Sequence, residues 1–242
     1  MILSRNINSI IRRSFQTTPV PMGLTLYYVE GSPPVRATQL CIRALGLDVQ
    51  YEFVNLFKKE NLQPEFLEKN PMHSVPVLDD NGFIIWDSHA INEYLVTVYG
   101  KDNDPLFPKD PKLRAIIHQR NHFDTGLAFP AFVGMSFRVL FAKKKDILEQ
   151  SIRTTRDVYA LVDKFLEKSK YIACDHITIA DFSIVTTLTT LEVFVPEISN
   201  YPRVAAYIEC CRTTMIDYQE ANQDSLDVFK AAVQERMTRS SL

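Results

Sequence analysis

The feature that most constrains the fold is a change of hydrophobic periodicity near residue 102. Before it, short apolar runs typical of strands alternate with amphipathic segments, in the order strand, helix, strand, helix, two strands and helix. After it, apolar residues recur only at helical spacing. The pattern predicts an α/β domain over 23–102, a Pro-rich linker over 103–110 and an all-α domain over 111–242.

Individual segments carry this prediction. Asn81-Gly82 joins the last two strands as a hairpin, and a helix follows with Ser88 as its N-cap and Gly100 after its end. Pro130 should kink or interrupt the first helix of the second domain. The predicted strands are 24–29, 49–56, 75–80 and 83–87, and the predicted helices are 35–46, 64–69, 88–99, 113–140, 147–166, 179–194 and 204–215.

Charge and composition exclude several classes of protein. The net charge of −2 gives no reason to expect a nucleic-acid partner or an acidic membrane surface. No apolar run reaches the roughly 18 residues that a membrane span needs. The four cysteines lack CxxC spacing, which favours free thiols in a reducing compartment.

Residues 1–21 differ from the rest of the chain. Three arginines oppose an apolar arc on a helical wheel, and no acidic residue occurs before Glu30. This is the chemistry of a mitochondrial presequence, but Met22 also offers a second start, so the segment is equally well explained as a non-native leader. We expect it to lie outside the fold and the protein to be cytoplasmic, or mitochondrial if the presequence is genuine.

The first candidate for chemistry is Ser32, in the segment GSPPVR between the first strand and the first helix. With Pro33 at the first helical position, Ser32 suits the N-cap of this helix. The alternative is functional, because a hydroxyl at a helix N-terminus can donate to a bound thiolate and lower the pKa of that thiol. No local His or Asp is spaced to activate Ser32 as a nucleophile.

Two further motifs could bind a peptide-like ligand. The Val75-Pro76 bond enters a strand, and a cis peptide there would leave the Val75 backbone groups unpaired and free to bind an extended ligand; an ordinary turn is the alternative. Asp87 and Ser88 precede a helix and could hold the ammonium and carboxylate of an α-amino acid, or serve only as a cap.

A metal site is not expected. His118 and His122 have helical i,i+4 spacing, but the sequence HQRNH lacks the glutamate of the HExxH motif. Ordinary surface or interface histidines explain the pair better.

Several ordered segments together resemble the insect delta/epsilon glutathione transferases, and the epsilon class more closely. The segments are LYYVEGSPPVRA, VNLFKKENLQPEFLEKNPMHSVPVLDDNG, WDSHAI, HFDTG and ITIADFSIVTTLTTLE. The sequences of the segments SPPVR, NLFK, HSVP and DSHAI are most similar to those of the noppera-bo group, an epsilon-like subfamily tied to ecdysteroid production. The resemblance runs from about residue 24 to residue 215.

The resemblance implies a thioredoxin-like domain with βαβαββα order, then an α-helical bundle, in a homodimer that uses glutathione as co-substrate without a metal. Ser32 would activate the glutathione thiol for attack on a hydrophobic electrophile, and Val75 would pair with the cysteinyl unit. The alternative functions are a general detoxifying transferase and a non-catalytic carrier that binds glutathione and lipid. Asp87 and Ser88 would hold the γ-glutamyl end. The remaining implied glutathione contacts are Pro33, Asn61, His73 and Pro76. Thr178 and Asp181 would form a structural capping box.

The electrophile is expected to bind against the first helix of the second domain and the C-terminal tail. Aromatic residues in 129–141 exceed what one core-facing helix surface needs, so some are expected to pack in the core and others to line an apolar pocket for a flat lipid such as a sterol. The noppera-bo group typically has an acidic residue here, and residues 125–145 contain none. The predicted lining residues are Pro34, Phe129, Phe132, Met135 and Phe137.

Overall fold

The computed structural model of the chain describes residues 23–238, so the predicted N-terminal extension lies outside the described residues. The strands are β1 Leu24–Tyr28, β2 Val49–Phe53, β3 Val77–Asp80 and β4 Phe83–Trp86. The helices are α1 Pro33–Leu45, α2 Pro64–Leu67, α3 Ser88–Tyr99, α4 Pro111–Phe123, α5 Phe129–Ser136, α6 Glu149–Phe165, α7 Ile179–Phe194, α8 Pro202–Thr214 and α9 Asp224–Thr238.

The four strands form one mixed sheet in the order β2-β1-β3-β4. The β1–β2 pair is parallel, as a βαβ crossover requires, and the β1–β3 and β3–β4 pairs are antiparallel. The observed order βαβαββα, followed only by helices, confirms the predicted fold class: a thioredoxin-like domain and an α-helical bundle.

Local sequence signals explain several element ends. Asn81 and Gly82 both have positive φ (52° and 93°), as a tight turn between twisted antiparallel strands requires. Gly46 ends α1 in the left-handed conformation at φ 65°. The predicted cap of α3 was wrong by one residue. Asp87 is the N-cap, because its carboxylate accepts from two backbone N–H groups, and Ser88 is the first helical residue.

The long helix that carries Pro130 is interrupted in a specific way. Between α4 and α5, residues 124–128 form a wide, π-type turn, in which the Phe129 N–H donates to the carbonyl of Asp124. Pro130 follows at the start of α5, where its missing N–H is accommodated. A second wide turn, Phe137–Phe141, follows α5.

The two halves of the chain share one hydrophobic core. Helix α7 is buried on nearly all sides and packs against α1. Its start carries the predicted capping box, in which Thr178 and Asp181 satisfy each other's backbone N–H groups. Helix α9, for which no periodic segment was identified beyond Met215, packs against the second wide turn.

Two further expectations concern the described residues. Between residues 23 and 238, no helix is long and apolar enough to cross a membrane. The four cysteines are free thiols, of which Cys41 and Cys211 are buried.

Candidate active site

Ser32 lies where β1 turns into α1, and its hydroxyl is not used as a cap. The residue has extended backbone (φ −71°, ψ 120°) at the N-cap position, with Pro33 next, yet its side chain makes no capping hydrogen bond. A hydroxyl at the positive end of a 13-residue helix therefore remains available to a ligand. This geometry weakens the purely structural explanation of Ser32.

Val75 presents an unpaired backbone edge near Ser32. The Val75-Pro76 peptide bond is cis, as the sequence predicted. Within the described part of the chain, neither the N–H nor the carbonyl of Val75 has a hydrogen-bond partner, and β3 begins only at Val77. Both Ser32 and Val75 line the same cavity. An extended peptide-like ligand could pair with this edge while it reaches Ser32.

The loop that presents Val75 is organised by Asn70, which sequence reasoning missed. Asn70 is fully buried, and its amide donates to the Ser74 carbonyl at 2.9 Å. Its side-chain oxygen accepts from the Met72 N–H at 2.9 Å. An Asn before Pro at a turn was the available signal.

Asn61 and His73 lie beside this loop. The Asn61 amide donates to the His73 carbonyl at 2.8 Å, and His73 has a left-handed backbone (φ 45°) with an exposed side chain. One amide hydrogen of Asn61 is therefore already bonded within the loop, and the His73 ring faces solvent.

Asp87 and Ser88 form a polar pair at the start of α3. One carboxylate oxygen of Asp87 accepts from the backbone N–H groups of His89 (2.9 Å) and Ala90 (3.2 Å). The other oxygen has no hydrogen-bond partner among the described residues. Ser88 is nearly buried at the first helical position. The pair can hold a positive and a negative group at one point.

A cavity of about 250 Å³ lies between the two domains, with Ser32 and Val75 on one side. Aromatic and aliphatic side chains line most of the rest, and Glu30, Ser74 and Ser136 add polar groups. Such a lining suits an apolar ligand with few polar groups. The apolar part of the wall consists of Val29, Leu56, Phe57, Phe129, Phe132, Leu140, Phe141 and Phe229.

Of the predicted lining residues, only Phe129 and Phe132 lie in this wall. Pro34 is outside it, half-buried on α1. Met135 is in the hydrophobic core, with 1% of its surface exposed, and Phe137 is 61% exposed on the outside. The reason is helix geometry: Phe129, Phe132 and Ser136 share one face by i, i+3, i+7 spacing, and the intervening residues point elsewhere.

A stack of three phenylalanine rings crosses the edge of the cavity, and the sequence did not reveal it. Phe57, from the loop after β2, stacks on Phe141 with ring centroids 5.2 Å apart and planes 21° apart. Phe137 also stacks on Phe141, with ring centroids 5.7 Å apart and planes 17° apart. The first domain thus contributes an aromatic side to a site predicted to be built mainly by the second.

No metal centre is built by the residues that the structure describes. Within 23–238 there is no group of three or more His, Cys, Asp or Glu side chains placed to hold an ion. His118 lies 4.0 Å from Glu93 and edge-on to the Phe107 ring.

Comparisons with known proteins show the family of the chain. Residues 22–97 match the family model described as glutathione S-transferase, N-terminal domain, and residues 112–213 match the corresponding C-terminal domain. Glutathione S-transferase 1 of Manduca sexta is 40% identical over 90% of this chain and all of its own length.

Solved structures are equally similar. An epsilon-class glutathione S-transferase from the housefly Musca domestica superposes with a TM-score of 0.84 at 41% identity, covering 88% of this chain and 98% of that one. A glutathione transferase homologue from Drosophila mojavensis, solved with bound glutathione, has a TM-score of 0.84 at 37% identity, covering 88% and 97%.

Proposed function

Since the chain belongs to the glutathione S-transferase family, with insect epsilon- and delta-class relatives, we propose that Ser32 is the residue that activates its co-substrate, glutathione. Ser32 Oγ donates a hydrogen bond to the glutathione sulfur, and the N-terminus of α1 adds favourable charge. The thiol releases its proton to solvent, the thiolate attacks the electrophilic carbon, a C–S bond forms, and the electron pair passes to the leaving group or the adjacent atom. The observation that carries this proposal is the uncommitted Ser32 hydroxyl in the cavity.

The remaining predicted contacts place glutathione across the first domain, taken as residues 23–102. Val75 pairs its backbone with the cysteinyl unit, next to Pro76. The free carboxylate oxygen of Asp87 takes the γ-glutamyl ammonium, and Ser88 takes the carboxylate. Asn61 and His73 face the glycyl end, and Pro33 packs beside the sulfur. Positioning and thiolate stabilisation supply most of the catalysis.

Two substitutions separate activation from binding. Ser32→Ala should raise the pKa of the enzyme-bound thiol toward its usual value of about 8.5 while leaving glutathione affinity nearly intact. Ser88→Ala should weaken affinity and leave the thiol pKa of the bound fraction unchanged. The ultraviolet absorbance of the thiolate, titrated against pH, measures the pKa of the bound thiol, and calorimetry measures glutathione affinity. If Ser32→Ala loses as much glutathione affinity as Ser88→Ala and the pKa of the bound thiol does not change, the activation role is contradicted.

The second substrate is proposed to be a flat, apolar electrophile bound by the second domain, taken as residues 111–242. The aromatic wall of the cavity supports this. We extend it to sterol handling or ecdysteroid biosynthesis, by likeness to the noppera-bo group. The acidic residue typical of that group's wall is absent from 125–145, and Glu30 is the acidic residue in this lining.

Displacement of a fluorescent pocket ligand tests the steroid role. Cholesterol and hydroxylated steroids should displace the ligand at micromolar concentration. Glu30→Gln should selectively weaken the binding of the hydroxylated compounds. If generic aromatic electrophiles are turned over but no steroid displaces the ligand, the enzyme is a general detoxifying transferase.

A homodimer in the cytoplasm completes the proposal. The homodimer is proposed from the likeness to the insect delta/epsilon transferases, and Val98, Ile116 and Val133 are among the exposed apolar side chains available to an interface. Light scattering after gel filtration tests the dimer. The alternative mitochondrial location depends on residues 1–21 and is tested by imaging full-length chain against chain started at Met22.

A further inference from the structure

We infer that Asn222, Ser225 and Phe229, near the C-terminus, position Ser32 for thiolate stabilisation by holding the chain on both sides of it. We call these three residues the C-terminal clamp. The inference rests on the proposed role of Ser32. Asn222 and Ser225 lie outside the lining of the cavity, and Phe229 adds only an apolar ring to its wall, so we treat the three as positioning residues that act through Ser32.

Ser225 holds the residue before Ser32. Its hydroxyl, near the start of α9, accepts a hydrogen bond from the Gly31 N–H at 2.7 Å. Gly31 has φ 82°, a left-handed conformation that sets the direction in which the chain enters Ser32. This is the one hydrogen bond recorded for the Gly31 N–H within residues 23–238.

Phe229 blocks movement of the same residue. It lies one helical turn after Ser225, and a Cβ built on Gly31 would stand 2.9 Å from the Phe229 Cβ. The Phe229 ring is itself anchored, with centroids 5.8 Å from the rings of Phe132 and Phe194. Gly31 is thus held by a helix that is wedged into the core of the second domain.

Asn222 holds the residue one turn after Ser32. The Arg36 N–H donates to the Ser32 carbonyl at 3.1 Å, and the Arg36 guanidinium is completely buried. Its partners are Asn222 Oδ1 at 2.5 Å, the Thr186 carbonyl at 3.0 Å and the Thr190 hydroxyl. No carboxylate of the described residues lies within ion-pair distance. A buried cation held only by neutral acceptors depends strongly on each of them.

The clamp lies beside open space on the outer side of the segment that leads into Ser32. A cavity of about 400 Å³ lies there, lined in part by Tyr28, Glu30, Ser225 and Val228. Gly31 is itself buried and does not line this cavity, whereas Ser225 does, so the Ser225 hydroxyl fixes Gly31 at the edge of the open space. If Ser225 is lost, the loop gains freedom, the Ser32 hydroxyl spends less time aligned with the sulfur, and the thiolate loses stabilisation.

Ser225→Ala is the test, with Ser225→Thr as the variant that keeps the hydroxyl and Thr238→Ala as a control at the far end of α9. Thiolate absorbance of bound glutathione is titrated against pH in each full-length protein. In Ser225→Ala the pKa of the bound thiol should rise, and kcat at neutral pH should fall about three- to tenfold, the worth of one hydrogen bond. Glutathione affinity should change less than twofold. Ser225→Thr should restore the wild-type thiol pKa and the wild-type kcat.

Each outcome decides the inference. If Ser225→Ala melts at a lower temperature but keeps the wild-type thiol pKa, Ser225 only stabilises the fold and the inference is overturned. If Ser225→Thr fails to restore the pKa although it retains the Gly31 contact, the clamp is also excluded. Ser32→Ala is measured in parallel. If that variant does not raise the thiol pKa, the proposed role of Ser32 is wrong, and this result is distinguishable from failure of the clamp alone.

Discussion

The imidazole Nε2 of His89 lies 3.2 Å from Oδ2 of Asp124, where α3 of the first domain meets the end of α4. The other ring nitrogen is 3.2 Å from the Thr125 hydroxyl and 3.7 Å from Oδ1 of Asp87. Asp124 is nearly buried, and its second oxygen has no hydrogen-bond partner among residues 23–238. Burial alone would lower the pKa of His89, but the contact with Asp124 and the charge of Asp87 raise it overall.

This pair predicts a pH-dependent contribution to stability. Because the pKa of His89 is raised in the folded state, its stabilisation is complete below the unfolded value of about 6.5 and is lost as pH rises through the higher folded value. His89→Gln should cost about 1–3 kcal/mol at mildly acidic pH and less at alkaline pH. Urea unfolding, followed by the single tryptophan, Trp86, measures this.

His118→Gln is the matched control, since His118 is only half-buried and lies 4.0 Å from Glu93, which is also half-buried. It should leave the pH profile nearly unchanged. A profile that is flat in wild type, or equal in both variants, would show that His89 and Asp124 do not form a stabilising ion pair.

A second prediction concerns glycines with different surroundings. Gly31→Ala combines a left-handed φ with the Phe229 contact and should cost about 2–4 kcal/mol. Gly46→Ala keeps only the strained φ and should cost about 1–2 kcal/mol, whereas Gly23→Ala has neither feature and should be close to neutral. Thermal unfolding ranks the three. If Gly31→Ala is no worse than Gly46→Ala, the Phe229 contact is looser than the structure indicates.

The aromatic stack should control affinity for flat electrophiles. Phe57→Ala removes a ring that is 65% exposed and lines the cavity, so we expect the KM of a planar aromatic electrophile to rise about two- to tenfold. Stability should change by less than about 0.5 kcal/mol. Phe53→Ala, which removes an exposed ring outside the cavity, serves as the control. The same KM in Phe57→Ala and wild type would exclude the ring from substrate binding.

Met135 should behave as a core residue. Met135→Ala should lose about 2–5 kcal/mol of stability and leave the KM for the electrophile unchanged, since the side chain does not face the cavity. Phe129→Ala, by contrast, should raise that KM. Steady-state kinetics below the melting temperature of each variant separates the two effects. A raised KM in Met135→Ala would show that Met135 contributes to electrophile binding.

Much of the first domain was predictable because its signals are local. The hairpin at Asn81-Gly82, the end of α1 at Gly46 and the cis bond before Pro76 each depend on the conformational preferences of one or two residues. The cap of α3 was misplaced by one residue because Asp87 and Ser88 are both good caps. Only the backbone shows that Asp87 occupies the non-helical position, at φ 75°.

The wall of the cavity was less predictable. Residue type predicted an aromatic pocket along the long helix, but which residues face the cavity depends on the register of that helix, and two wide turns shift that register. Phe141 and Phe57 enter the wall together only because a loop of the first domain meets the end of that helix.

The sequence by itself determined the order of elements, the position of Ser32 at the start of α1 and the family to which the chain belongs, because these follow from patterns within short segments. Only the tertiary structure decided that Ser225 bonds to Gly31, that Arg36 is buried without a carboxylate partner among residues 23–238, and that His89 reaches Asp124. The physical reason is distance along the chain: Gly31 and Ser225 are separated by 194 positions, and no local preference encodes a contact that packing of the whole core brings about.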